Sequence, residues 1–387
     1  MNKKSKKSIL FVVSTMTTGG INTSLSALYS NLKDLYEIKV FALDYDKTIH
    51  LSFTEALLPK DKLLDAYHCD YSKAKQKDRL YKWCVKICKK ISEVINYDMQ
   101  SYVFKRAVER IEKKYNFDII VSFQEGQPTS FCRLFKNPKK IAWVHCDYIR
   151  YYKNANDYSF YRKIIFVSNY TKESFVSKFK QYEDISDYVY NFMDADRIKK
   201  LAKEPLVDEK FDNRCFTIIS MGRIVSLKRF SYIPSIASYL IKKGLKFKWY
   251  ILGPSFDQKE SSLLENNIKK YNVSSNVLWL GNKSNPYPYI KNSSLLVALS
   301  TTEACPMMFI EAKILNVPIV STNFGSSYEF INNGEDGVIS SIDSLSNSIF
   351  QLISNKEKYL SIKNRTIDFS YSNEDLVNKV VDIIESV

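Results

Sequence analysis

The stretch Ser8-Ile-Leu-Phe-Val-Val-Ser-Thr-Met-Thr-Thr-Gly-Gly20 is a short, unbroken apolar run that ends in a threonine- and glycine-rich loop. A run of this kind fits a strand covered on both faces, because a strand with one wet face would alternate apolar and polar residues. After Gly20, Leu25, Leu28 and Leu32 recur at helical spacing, and Glu37 to Leu43 reads as a second strand. Strand, glycine turn, helix and strand make a βαβ unit, so the chain is expected to be α/β with a parallel sheet.

The same alternation continues outward. Phe117 to Phe123, Lys140 to His145 and Lys163 to Ser168 are further strand candidates. A second series runs through Phe216 to Met221, Phe247 to Leu252, Val277 to Leu280, Ser294 to Leu299 and Val317 to Ser321, with helical patterns such as Phe230 to Lys243 between them. The polar, mixed stretch Lys203 to Arg214 reads as a linker. Two Rossmann-like, doubly wound domains are therefore expected, residues 1–200 and 201–371, with a C-terminal helix at 372–387 rejoining the first. Ligands of such sheets bind beyond the carboxyl ends of the strands, so two sheets facing across a cleft would hold a donor and an acceptor together.

The chain has 387 residues, 45% of them hydrophobic, which gives each half a core of its own and excludes a disordered chain. It is basic, with 57 Lys+Arg against 42 Asp+Glu and a formal net charge of +15. That balance favours phosphate-bearing or anionic partners without choosing among nucleotides, nucleic acid and lipid headgroups. Between Tyr71 and Tyr115, Trp83, Ile87, Ile91 and Ile95 repeat every four residues among lysines. This suits a basic amphipathic helix on an anionic membrane surface, and equally a solvated lysine-rich face. The apolar run Ile9 to Val13 is too short for a membrane span or a signal peptide. Seven cysteines without a Cys-x-x-Cys read as reduced, buried thiols. The expectation is a cytoplasmic protein, peripheral on the inner face of the cell membrane.

Four motifs stand where strands end. Ser300-Thr-Thr-Glu303-Ala-Cys305-Pro306-Met307-Met308-Phe-Ile-Glu311 follows a buried strand, and Pro306 suits the first position of a helix. The free amides of Met307 and Met308 would then face a diphosphate, and the two glutamates would accept from sugar hydroxyls. Spacing alone also allows both to be surface acids. Gly222-Arg223 with Lys228 follows Phe216 to Met221, and two cations there would neutralise a departing diphosphate. They read alternatively as two more surface cations of a basic chain. Gly19-Gly20 opens a helix and lets backbone approach phosphate, without the spacing of a Walker or dinucleotide motif. His145 ends a strand in Trp143-Val-His145-Cys-Asp147, where its imidazole would donate to a sugar or its phosphate. Asp44-Tyr-Asp46 and Asp194-Ala-Asp196 pair carboxylates as divalent-ion sites do, but turn and capping roles suit them better, and no metal site is expected.

Together these residues resemble the GT-B-fold, retaining glycosyltransferases of the family-4, or glycosyl transferases group 1, type. The resemblance is carried by Gly222-Arg223 with Lys228, Gly253, Gly281, Asn285-Pro286, Glu303-x7-Glu311, Asn323-Phe-Gly325, Glu329 and Gly334-x-x-Gly337. In the first half Gly19-Gly20, His145, Ser168-Asn169 and Asn191-x-x-Asp194 also match. It implies that Glu311 binds ribose hydroxyls and Glu303 the transferred sugar. It further implies that Arg223 and Lys228 hold the diphosphate in place of a metal, that the Gly19-Gly20 loop covers the phosphates and that His145 lies near the sugar. Gly281, Gly222, Cys305, Pro306, Met307 and Met308 complete the nucleotide-sugar site on this reading.

Two departures stand out. Ala304-Cys305-Pro306 replaces the usual Gly-Phe-Gly, a form associated with bacterial surface polysaccharides, and Lys228-Arg229 replaces Lys-Gly. The implied reaction moves a hexose or N-acetylhexosamine from a nucleotide sugar, a UDP-sugar first, to a glycan or lipid-linked acceptor with retention, and needs no cofactor. A nucleotide-sugar epimerase of the same fold, a basic nucleic-acid-binding α/β protein and an inactive scaffold are the competing readings. Two glutamates beside a phosphate site have no purpose in a nucleic-acid binder, so nucleic acid is not expected as a partner.

Overall fold

The computed structural model describes residues 6–16, 19–44, 99–151, 156–206, 208, 210–212, 214–367 and 369–387. Trp83, Ile87, Ile91 and Ile95, Thr17 and Thr18, Tyr45 and Asp46, and Cys69, Cys84 and Cys88 lie outside them. The chain divides into two compact units, residues 1–193 with 373–387, and residues 194–372.

In the first unit six strands pair in parallel: β1 (Ser8–Thr15), β2 (Glu37–Asp44), β3 (Ile119–Ser122), β4 (Lys140–Val144), β5 (Lys163–Phe166) and β6 (Ser186–Tyr188), in the order β2-β1-β3-β4-β5-β6. Ile9 through Val13 are all buried, as a strand with helices on both faces demands. Helix Gly20–Leu32 returns the chain from β1 to β2 and buries Leu25, Leu28 and Leu32 completely. Each such leucine contributes about 2 kcal/mol of burial. The last helix, Glu374–Glu385, docks on this unit through Val380, Ile383 and Ile384. Lys7 pairs with Glu385 at 2.6 Å, Lys379 with Asp187 at 2.8 Å, and Asn373 donates to the Met193 carbonyl at 2.8 Å.

Helix Met99–Lys114, the described part of the basic stretch, is two-faced. Phe104, Ala107, Val108 and Ile111 are buried while Lys105, Arg106 and Lys113 are exposed. Among the described residues no helix is long and apolar enough to cross a membrane.

The second unit repeats the scheme with β7 (Phe216–Met221), β8 (Phe247–Leu252), β9 (Val277–Gly281), β10 (Leu295–Ala298), β11 (Ile319–Thr322) and β12 (Gly337–Ser340), all parallel, in the order β12-β11-β10-β7-β8-β9. Its core joins Ile218, Trp249, Ile251, Leu295 and Val297 to apolar residues of the flanking helices. A Cβ on Gly337 would meet the Ile319 carbonyl at 2.9 Å, which explains the glycine where β12 pairs with β11.

Two expectations are corrected. The stretch from Lys203 to Arg214 is not a free linker: Asp208 pairs with Lys283 at 2.8 Å, Tyr250 donates to the Lys210 carbonyl at 3.0 Å, and Phe211 packs on the Tyr250 ring. The polar composition that suggested a linker supplies the groups that strap it down. Strands β6 and β12 are additions, each at a sheet edge. The second sheet reverses its strand order between β7 and β10, and the first between β1 and β3. These switch points are where sheets of this kind bind ligands.

Candidate active site

At the switch point of the second sheet, β7 ends and the chain turns through Gly222 at φ 141, a region side chains avoid. Its neighbour β8 ends at Gly253, where a Cβ would sit 1.8 Å from the Gly222 carbonyl oxygen. The two strand ends therefore meet backbone to backbone, and only glycine fits. The chain then makes a short 3-10 turn, Ser226–Lys228, that folds Lys228 back over Gly222. Arg229 follows in the left-handed conformation, φ 52 and ψ 31, which costs an L residue roughly 1–2 kcal/mol. The resemblance has glycine here, and the backbone keeps the shape that glycine would adopt.

The Lys228 ammonium donates to Glu303 Oε1 in the loop after β10. Ser300 Oγ donates to the same oxygen at 2.6 Å. The loop is fixed from three sides. Thr301 N–H donates to the Leu227 carbonyl at 2.9 Å, Ser326 Oγ to the Glu303 carbonyl at 2.7 Å, and Thr322 Oγ1 to the Ser300 carbonyl at 2.6 Å. Both side-chain hydrogen bonds of Glu303 among the described residues fall on Oε1. Oε2 keeps its lone pairs without a partner among the described residues.

The helix Met307–Ile314 begins one residue later than expected. Pro306 stands as its cap at φ −74 and ψ 87, because its ψ is already non-helical. No side chain caps this end, so its first amides and the positive end of the helix dipole are available to an anion. Met307, Ile310 and Ile314 recur at the spacing of a single apolar helix face, but the structure buries more than one face. Met308 through Ile314 are all buried, Glu311 and Lys313 included. Lys313 is neutralised by Asp336 at 2.6 Å. Among the described residues Glu311 has no such cation. The Tyr287 hydroxyl, 3.5 Å from Oε1, is its partner among the described residues. Burial pushes the Glu311 carboxyl up to about 7, opposed by Tyr287. It is not a solvated helix acid.

Lys228 is thus in direct contact with Glu303 and lies over Gly222. Arg223 and Glu311 belong to the same sheet edge, but among the described residues no hydrogen bond or ion pair links either to that cluster. Arg223 is exposed, with its guanidinium over the Phe256 ring at 5.3 Å from the centroid. Gly281 ends β9 at φ 72, and its carbonyl accepts from Gly253 N–H at 2.8 Å. Cys305 is a buried cysteine, outside any disulfide, just before the cap. Cys132 is likewise buried, whereas Cys146 and Cys215 are partly exposed, against the expectation that all are buried.

In the first unit, Gly19 and Gly20 start helix Gly20–Leu32 without a side-chain cap. Gly19 has extended backbone, and a Cβ there would meet nothing among the described residues within 4 Å. His145 follows β4. Its ring packs on Phe123 at 4.7 Å, and burial lowers its pKa to about 3, so the imidazole is neutral. Both ring nitrogens are buried, with no partner among the described residues. Ser168 and Asp194, two of the resembling positions, cap helices Asn169–Lys178 and Ala195–Leu201 by accepting from Thr171 and Arg197 N–H groups. Capping thus accounts for Asp194 of the Asp194-Ala-Asp196 pair.

Four residues escaped the reading of the sequence. The Glu125 carboxylate accepts from His145 N–H at 2.8 Å. Its place directly after β3, at a switch point, was a usable signal. Ser300 stands three residues before Glu303 in the same motif, but nothing in the sequence marks its hydroxyl as the partner. Ser326 and Tyr287 had no signal, since folding alone brings them to the Glu303 carbonyl and the Glu311 carboxyl.

Residues 203–369 match the family model described as glycosyl transferases group 1. An uncharacterized glycosyltransferase of Methanocaldococcus jannaschii is 27% identical over 237 residues, 55% of this chain and 57% of that protein. The capsular polysaccharide biosynthesis glycosyltransferase CapM of Staphylococcus aureus is 27% identical over 136 residues, 34% of this chain and 35% of that protein. The alignments thus span about half the length, or less, of the curated relatives. The crystal structure of Anabaena Alr3699/HepE in complex with UDP and glucose superposes with a TM-score of 0.76 at 13% identity, covering 98% of this chain and 100% of that one. At that identity the likeness shows the fold, two Rossmann-like domains of the GT-B kind.

Proposed function

Since residues 203–369 belong to the glycosyl transferases group 1, we propose that this protein is a retaining glycosyltransferase that takes a hexose or N-acetylhexosamine from a nucleotide sugar, a UDP-sugar first, and places it on a glycan or lipid-linked acceptor of bacterial surface polysaccharide. The observation that carries this reading is the meeting of Lys228 and Glu303 at the switch point of the second sheet, beside an uncapped helix start. A cation and free amides suit a diphosphate, while a carboxylate oxygen left over suits a sugar hydroxyl.

In the proposed reaction the acceptor hydroxyl attacks the anomeric carbon on the face from which the diphosphate departs. The bond from that carbon to the diphosphate oxygen breaks, the new glycosidic bond forms, and the acceptor's proton passes to the leaving phosphate. No protein base is then required. Arg223, Lys228 and the amides of Met307 and Met308 stabilise the charge that grows on the leaving group, without a bound metal. Glu303 orients the sugar and Glu311 the ribose. From the first unit, Gly19 and Gly20 are assigned to the phosphates and neutral His145 to the transferred sugar. Gly222, Gly281, Cys305 and Pro306 shape the donor site.

A calorimetric screen of UDP-, GDP- and ADP-sugars tests the reading. One class should bind and be turned over only when an acceptor is supplied. Donor turned over without acceptor would favour the epimerase, and no binding by any class would reject both. Nothing in the site favours a nucleic acid as partner.

The basic stretch 71–115 extends the proposal to peripheral docking on the inner face of the cell membrane, where a lipid-linked acceptor would lie. Exposed Lys105, Arg106 and Lys113 beside the half-exposed Tyr102 support it. The protein should float with vesicles containing anionic lipid at low salt and not with neutral ones. Equal behaviour with both would reject docking.

A further inference from the structure

Helix Met307–Ile314 packs against helices Ala195–Leu201, Tyr287–Lys291 and Lys356–Ile367, and this packing walls Glu311 in. Tyr287 reaches it from the second of these, its hydroxyl 3.5 Å from Oε1. Tyr287 is itself largely enclosed, and burial, reinforced by Glu311, keeps its hydroxyl protonated and therefore a donor. Arg197 and the capping carboxylate of Asp194 act on Tyr287 from the first helix. Neither they nor the lysines and arginine of helix Lys356–Ile367 govern Glu311, whose titration follows from burial and Tyr287. Lys313, on the same helix, is occupied by Asp336.

We propose that Tyr287 is a positioning residue of the donor site, holding Glu311 in the ionised form that accepts hydrogen bonds from the vicinal diol of a ribose. The inference rests on the reading of Glu311 as the ribose acid. A carboxylate accepts from both hydroxyls of a diol, whereas a carboxylic acid presents one donor and loses one of those bonds. With its carboxyl near 7, Glu311 makes donor affinity rise with pH across neutrality. One pH unit below that point the affinity should be about tenfold under its plateau. Tyr287 donates to the charged form and so moves this rise toward acid.

The test is calorimetric binding of UDP-glucose, with GDP-mannose in parallel, from about pH 5.5 to about pH 9. The diphosphate diesters of both probes do not titrate in this range, and the nucleobase N–H, which begins to ionise near its alkaline end, is common to all three proteins, so a difference between wild type and variant belongs to the protein. Wild type, Tyr287→Phe and Glu311→Gln are compared. Tyr287→Phe should shift the rise upward by about one pH unit, so affinity at neutral pH falls about fivefold to tenfold. Its alkaline plateau should stay within about threefold of wild type, which also reports an intact fold. An unshifted midpoint, or an affinity lowered equally at every pH, would overturn the role of Tyr287. Glu311→Gln binding as tightly as wild type on the plateau would overturn the ribose reading, and the inference with it. Wild-type protein that binds neither these probes nor ADP-glucose would do the same.

Discussion

Glu311→Gln should make the unliganded protein more stable at alkaline pH while removing its donor affinity. Glu311 is 8% exposed, and burial lifts its carboxyl from the ordinary 4.5 to about 7. Below about 4.5 the group is protonated in both the folded and unfolded chain and costs nothing. Between 4.5 and 7 the unfolded chain ionises first, so stability falls as pH rises; above 7 the folded chain ionises too, and the loss becomes constant. The full loss is about 3 kcal/mol, from the folded and unfolded values. Glutamine keeps the shape and an acceptor for the Tyr287 hydroxyl but never charges. Urea unfolding should therefore show equal stability of variant and wild type near pH 4 and a gain of about 3 kcal/mol near pH 8. A variant less stable than wild type at both values would show that Glu311 is not a strained acid in the empty site. On the proposed reading of Glu311 as the ribose acid, strain of this size is the usual trade of stability for function.

Arg223→Ala and Lys228→Ala are each expected to lower turnover by about a hundredfold or more. Removing one donor to a developing anion costs about 3 kcal/mol of barrier. Because that charge appears as the bond breaks, kcat should fall more than KM rises. The two variants differ in what else they disturb. Arg223 is exposed and rests on Phe256, so its loss leaves the fold in place. Lys228 neutralises Glu303, their side chains being 19% and 17% exposed, so its removal also strands a carboxylate beside a helix start. Rates must accordingly be compared at equal folded fraction. Wild-type turnover by Arg223→Ala would remove it from the site, and a Lys228→Ala defect confined to KM would make Lys228 a ground-state binder only.

Most of the fold was legible because a parallel sheet writes itself as unbroken apolar runs. β7 and β8 fall where Phe216 to Met221 and Phe247 to Leu252 are read, and β2 extends one residue beyond Glu37 to Leu43. The exceptions are β6 and β12, three and four residues long at sheet edges, and β6 is half-buried throughout. An edge strand needs less apolar cover, so the signal that marks its neighbours is missing there. The tie of Lys203 to Arg214 to its unit was hidden for a similar reason, since polar residues look alike whether they face water or a partner such as Lys283.

At the site, the sequence by itself determined which residues stand after which strand: Gly222 and Arg223 after β7, Glu303 after β10, and Glu311 eight residues beyond. Order along the chain is enough for that, because each strand delivers its own end to one edge of the sheet. Only the tertiary structure decided their chemistry. Lys228 and Glu303, 75 residues apart, neutralise one another, while Glu311 lies buried with a tyrosine hydroxyl and no cation among the described residues. The charge state of an acid depends on the solvent it has lost and the groups that replace it, and those arrive from elements distant in sequence.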